Sequence, residues 1–115
     1  MRTSGEHCDM KRYTVRITDE ALSDMWEIHR YITEELCSPE NARGQYDRIA
    51  DEILSLERFP ERYRLVDFEP ERAAGLRRML VDNYSVFYVL RGEDVVVTDV
   101  LYSASDIERR LKEKR

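Results

Sequence analysis

The sequence predicts one α+β domain in which a helical hairpin covers one face of a mostly antiparallel sheet. Three observations carry this. A short alternating run near the N-terminus leads straight into two stretches with apolar residues at three-to-four spacing. Three closely spaced strand-like runs follow, separated by turn residues. With 115 residues and only four Gly and three Pro, the chain suits a single domain built mostly of regular elements.

Taken in order, residues 1–9 are polar and aperiodic and read as a flexible tail, with the domain spanning 10–115. Met10-Lys11-Arg12 reads as a second candidate start. Tyr13–Thr18 alternates apolar and polar residues, the period of a half-buried strand. Thr18-Asp19-Glu20 supplies an N-cap and first-turn acids. The helix that follows places Leu22, Met25, His29, Ile32 and Leu36 on one stripe, with Trp26 beside it. Ser38-Pro39-Glu40 opens a second helix running to about Arg58, with Ala42, Tyr46, Ile49, Ile53 and Leu56 apolar. Phe59-Pro60 stops it. One short extended piece, Tyr63–Val66, lies in the charged connection. The runs Leu76–Val81, Tyr84–Arg91 and Val95–Tyr102 then form a meander through turns at Asp82-Asn83 and Gly92-Glu93-Asp94. Ser105-Asp106 caps a short basic helix to about Lys114. The order is β-α-α-β-β-β-β-α, and the sheet face away from the hairpin is expected to stay partly open. Leu22, Met25, Ile32, Leu36, Ile49, Ile53, Leu56, Val86 and Val97 are expected to share one core.

Composition excludes several classes. No apolar run approaches 18 residues, and residues 1–10 lack the apolar stretch of a signal peptide, so a cytoplasmic protein without membrane association is expected. Cys8 and Cys37 have neither CxxC spacing nor a matching His pattern, so no metal site and no cofactor is expected. Net charge is −5, with residues 1–74 at −6 and residues 75–115 at +1. Such a chain is not built as a general nucleic-acid binder. Sixteen of the nineteen cations are Arg, which suits forked contacts to carboxylate or phosphate but also follows from genome composition.

Three stretches carry a resemblance to the RelE/ParE superfamily of toxins from type II toxin–antitoxin systems. They are Met10–Thr18 running into Asp19–Leu36, Leu54-Ser55-Leu56 through Phe59-Pro60, and Gly75–Leu90. The last is similar to that family's arginine strand, tight turn and Tyr-x-x-x-Tyr strand. Val100–Ile107 is similar to its closing strand and final helix. The resemblance implies a RelE-like fold in which the first strand pairs with the last. It also implies a bacterial growth-inhibiting toxin, of the kind tied to plasmid stabilisation, in a hetero-oligomer with a cognate antitoxin. Its target would be DNA gyrase, as in ParE-like members, or mRNA on the ribosome, as in RelE-like endoribonucleases. A degenerate toxin that only binds its antitoxin is a third reading.

For a nuclease, the resemblance offers Arg78 and Tyr102, with Tyr84 and Arg77 behind them. RNA cleavage through the 2′-hydroxyl needs a base, an acid and cations at the developing charge. An unperturbed Tyr, with a pKa near about 10, is a poor base alone. No Lys lies between Lys11 and Lys112, and Ser85 stands where many relatives carry Arg. The missing groups and acidic charge favour the gyrase-binding reading. His29 reads as a core or rim residue of the first helix. For the antitoxin, Trp26, Arg77, Arg78 and Tyr88 are the candidate contacts, along the helical hairpin and the open sheet face or edge.

Overall fold

A computed structural model describes residues 12–113. The expected tail, with His7, Cys8 and the alternative start Met10, lies outside the described residues. Strand β1 (Thr14–Ile17) leads into α1 (Asp19–Glu34) and α2 (Pro39–Leu54). Two 3-10 turns (Ser55–Glu57 and Pro60–Arg62) follow, then β2 (Arg77–Val81), β3 (Tyr84–Arg91), β4 (Asp94–Tyr102) and α3 (Ile107–Glu113). The sheet order is β1-β4-β3-β2. The meander β2-β3-β4 is antiparallel, and β1 pairs with β4, as the resemblance implied, but in parallel. The short extended piece expected at Tyr63–Val66, counted as a strand in the predicted order, is not a strand. It forms one bridge, Leu65 to Arg77, through the bonds Val66 N to Leu76 O (2.9 Å) and Arg78 N to Arg64 O (3.0 Å).

Thr18 joins strand to helix. Its Oγ1 accepts from Ala21 N (3.1 Å) as an N-cap, while its own N donates to Val97 O (3.0 Å). Further along α1, Asp24 accepts from Val100 N (3.0 Å). These anchors turn α1 so that Ala21, Met25 and Ile32 are buried and Ile28 packs behind them. The predicted stripe is therefore rotated. Leu22 is 40% exposed and Leu36 is 58% exposed, so neither belongs to the core. Leu36 lies beyond the helix end, where helical spacing no longer sets direction. His29 sits at the rim.

Met25, Ile49, Ile53, Leu56, Val86 and Val97 do share one core, with Met79, Val81, Tyr88, Val95 and Val100. The other sheet face, expected to be partly open, is open mainly beside β2, where Leu80 is exposed. Val66, Leu76, Phe87, Val89, Leu101, Ile107 and Leu111 form a second cluster on that face, beneath α3 and the connection before β2. Burying that face needed apolar residues outside regular strands, which periodicity does not reveal. Val95-Val96-Val97 is continuous because Val95 and Val97 face the hairpin and Val96 the second cluster. Among the described residues, no helix is long and apolar enough to cross a membrane.

Candidate functional site

The two-residue turn Asp82-Asn83 decides which side chains share a face. Val81 pairs with Tyr84, so Tyr84 lies on the hairpin side with Met79 and Val81. Tyr84 in turn pairs with Tyr102, their ring centroids 5.8 Å apart. Arg78 pairs with Phe87 and takes the opposite face. There its Nε donates to Ser85 Oγ (2.9 Å), and Ser85 Oγ lies 2.8 Å from Ser103 Oγ. The sheet itself thus separates Arg78 from Tyr84 and Tyr102.

On the hairpin side, Tyr84 and Tyr102 line a cleft of about 480 Å³ between α1 and the β3–β4 pair. Ile28, Tyr31 and Leu36 supply its apolar wall, and Asp24, Glu27 and Arg110 its charged rim. Tyr31, Leu36 and Tyr102 are each more than half exposed, so this is a solvent-facing apolar surface. Burial raises the Tyr84 phenol above its ordinary pKa, and neighbouring Tyr102 and Tyr31 add to the rise. Such a phenol ionises less readily than a free tyrosine, so less phenolate is available to act as a base near neutral pH.

On the opposite side, a groove of about 500 Å³ runs beside β2, where Arg62, Arg64 and Arg78 outnumber the carboxylate of Asp67, and Tyr63, Phe68 and Leu80 add apolar surface. Leu80 is 63% exposed. Arg62 donates to Arg58 O (2.6 Å) and Phe59 O (3.1 Å) and lies 4.7 Å from the Tyr63 ring centroid. Among the described residues, no carboxylate lies within 4.0 Å of Arg62, Arg64 or Arg78. The Arg78 guanidinium is held instead by its bond to Ser85.

The other candidate contacts separate clearly. Trp26 is 57% exposed on the outer side of α1. Arg77 donates to Tyr63 O (2.6 Å) and Glu61 O (3.2 Å), holding the connection against the sheet. Tyr88 is fully buried, and its hydroxyl donates to Pro60 O. It offers no surface to an antitoxin; it packs between the sheet and the 3-10 turn. Burial pushes its phenol up to about 12. Among the described residues, no cluster of His, Cys, Asp and Glu could hold a metal ion.

The family model for the ParE toxin of the type II toxin–antitoxin system parDE matches residues 15–107. The chain belongs to the ParE toxin family. The match runs from β1 to the first residue of α3, so it includes the cleft tyrosines and the arginine groove. Comparison with curated proteins returned no match. Among solved structures, the chain is similar to the chromosomal ParDE toxin–antitoxin system from P. aeruginosa. That match has a TM-score of 0.67 at 17% identity, covering 80% of this chain and 97% of the other. It is also similar to the RelBE2 toxin–antitoxin complex from Mycobacterium tuberculosis. There the TM-score is 0.59 at 21% identity, with 82% and 94% covered. The fold is therefore common to ParE and RelE toxins, and this chain falls on the ParE side by family.

Sequence reasoning missed Tyr31, Leu36, Arg62, Arg64 and Leu80. Tyr31 and Leu36 look like helix packing residues until the rotation of α1 is known. Leu80 carried a usable signal: on β2 it alternates with Met79 and Val81, so one of the two sets had to face away from the hairpin.

Proposed function

We propose that this ParE-family toxin stops growth by binding DNA gyrase in the cytoplasm, without a catalytic step, and that a cognate antitoxin neutralises it. The observation that carries the reading is the separation of Arg78 from Tyr84 and Tyr102 by the sheet. General acid–base cleavage of RNA needs base, acid and phosphate-binding cation around one phosphate, within hydrogen-bond reach. Here Arg78 and the phenols cannot meet one phosphate, and burial holds Tyr84 more firmly in its neutral form. A binding poison needs only complementary surface, and the cleft and the groove supply it.

The antitoxin would use both. An acidic, extended segment fits Arg62, Arg64 and Arg78, which have no carboxylate partner among the described residues, pairing its backbone along β2 beside exposed Leu80. An apolar anchor fits the cleft of Tyr31, Leu36 and Tyr102. Hydrogen exchange on the complex should slow at 62–68 and 77–81 and around the cleft; protection confined to residues 1–9 would contradict this docking. For the target, antitoxin-free protein is added separately to a gyrase supercoiling assay and a translating extract. Blocked supercoiling with intact mRNA is expected. Codon-positioned mRNA cuts lost in Arg78→Ala would establish the nuclease instead, and silence in both assays would favour a degenerate toxin.

A further inference from the structure

The outer side of the helical hairpin carries a surface that meets the cleft only at Glu27 and lies apart from the arginine groove. Trp26 and His29 from α1 meet Tyr46 from α2 in a three-ring cluster. Centroids lie 5.7 Å apart for Trp26–His29, 5.6 Å for Trp26–Tyr46 and 6.2 Å for His29–Tyr46. The rings are steeply inclined, at 73°, 45° and 88°, so they form a corner rather than a stack. Packing alone does not account for it, because the largest of the three, Trp26, remains 57% exposed.

The charge around this corner is mostly negative. Residues 19–54 contain ten carboxylates and three arginines, and one of the three, Arg48, is bound to Asp82 on the β2–β3 turn at 2.7 Å. A groove of about 490 Å³ along α1 is bordered by Trp26, His29, Glu27 and Glu34, with Arg30 its one cation. Among the described residues, neither Glu27 nor Glu34 has a cationic partner within 4.0 Å. An aromatic ring face is electronegative, and carboxylates beside it deepen the same potential. Nucleic acid and anionic lipid would be repelled. A guanidinium can lie on a ring and fork to a carboxylate at once.

We propose that Trp26, His29 and Tyr46, flanked by Glu27 and Glu34, form a docking site for an arginine-bearing cationic segment of a partner protein. This surface is separate from the arginine groove, whose charge is opposite, so toxin held by an acidic antitoxin segment keeps it available. The assignment does not depend on gyrase being the target.

Trp26 is the chain's one tryptophan, so its fluorescence reads the site directly. The probe is the peptide acetyl-Arg-Leu-Arg-Arg-Leu-Arg-amide, titrated into the full-length chain at low salt. A saturable change is expected, absent with the same peptide carrying Glu for Arg and weaker with Lys for Arg. Tyr46→Leu should weaken binding about five-fold, the size of one half-exposed cation–π contact. Tyr46→Phe, which keeps the ring, should stay within about two-fold of wild type on the same basis. Should Tyr46→Leu lose its helical circular dichroism, Glu27→Gln reads the same site. It should weaken binding about two-fold and flatten the salt dependence, as expected for one exposed ion pair. No saturable signal with the arginine peptide would overturn the assignment. So would wild-type affinity in Tyr46→Leu or, where that variant does not fold, in Glu27→Gln.

Discussion

Replacing Tyr88 by Phe removes one oxygen from the centre of the molecule and leaves the ring in place. In the native structure that oxygen is fully buried and donates to the Pro60 carbonyl, tying β3 to the 3-10 turn after α2. Without it, the carbonyl loses its partner where the buried phenol had excluded water. Such a loss costs about 1–2 kcal/mol. At about 3–6 °C per kcal/mol for a chain of this length, the melting temperature should fall by roughly 3–12 °C. The pH dependence gives a second reading. The folded state raises the phenol from its ordinary value to about 12, so it favours the neutral form. The stabilisation is complete below about pH 10, where the unfolded tyrosine is also neutral, and is lost as pH rises towards about 12. Its ceiling is about 2–3 kcal/mol. The Phe variant should lack this part of the alkaline destabilisation. The assay is thermal unfolding by circular dichroism at pH 7 and from pH 9 to 12, beside antitoxin affinity by calorimetry. An unchanged melting temperature, or weakened antitoxin binding at unchanged stability, would refute the structural role given to Tyr88.

Two further outcomes test the fold. Ile53→Ala empties a fully buried position beneath α2 and should lower the unfolding free energy in urea by about 2–5 kcal/mol; an unchanged midpoint would contradict its place in the core. Thr18→Ala removes both the cap on α1 and the Oγ1 bond to Thr98 O (3.3 Å), and should cost about 1–2 kcal/mol, with Thr18→Ser recovering most of it.

Much of this architecture is legible in local patterns because local chemistry dictates it. Thr18 before Asp19-Glu20 starts α1, Pro39 starts α2, and Asp82-Asn83 and Gly92 permit the tight turns, Asp82 at φ 55° and Gly92 at φ 61°. What was not legible depends on contacts between distant segments. The rotation of α1 comes from Asp24 reaching Val100 and from Thr18 bonding to β4, neither of which leaves a trace in helical spacing. The second cluster draws Val66 and Leu76 from an irregular connection. Tyr88 shares a strand face with Val86, an expected core residue, so its burial lay within reach; the turn 28 residues away that accepts its hydroxyl did not. The separation of Arg78 from Tyr84 lay within reach. A two-residue turn pairs Val81 with Tyr84, and strand alternation then puts Arg78 on the other face. The place of Tyr102 did not, because the register of β4 shifts at Phe87/Tyr88.

The central claim is that toxicity here needs surface and no catalytic set, and a gyrase supercoiling assay with the Arg78→Ala, Tyr102→Phe double variant tests it most directly. Arg78 is replaced on one face of the sheet and the Tyr102 hydroxyl is removed on the other, while the ring that lines the cleft stays. The half-maximal concentration for blocking supercoiling should remain within about ten-fold of wild type, since each change removes about 0.7 kcal/mol or less, about 1.4 kcal/mol together, of a binding surface spread over many residues. Loss of toxicity in the double variant, with wild-type protein leaving gyrase untouched and cutting mRNA on the ribosome, would contradict the account.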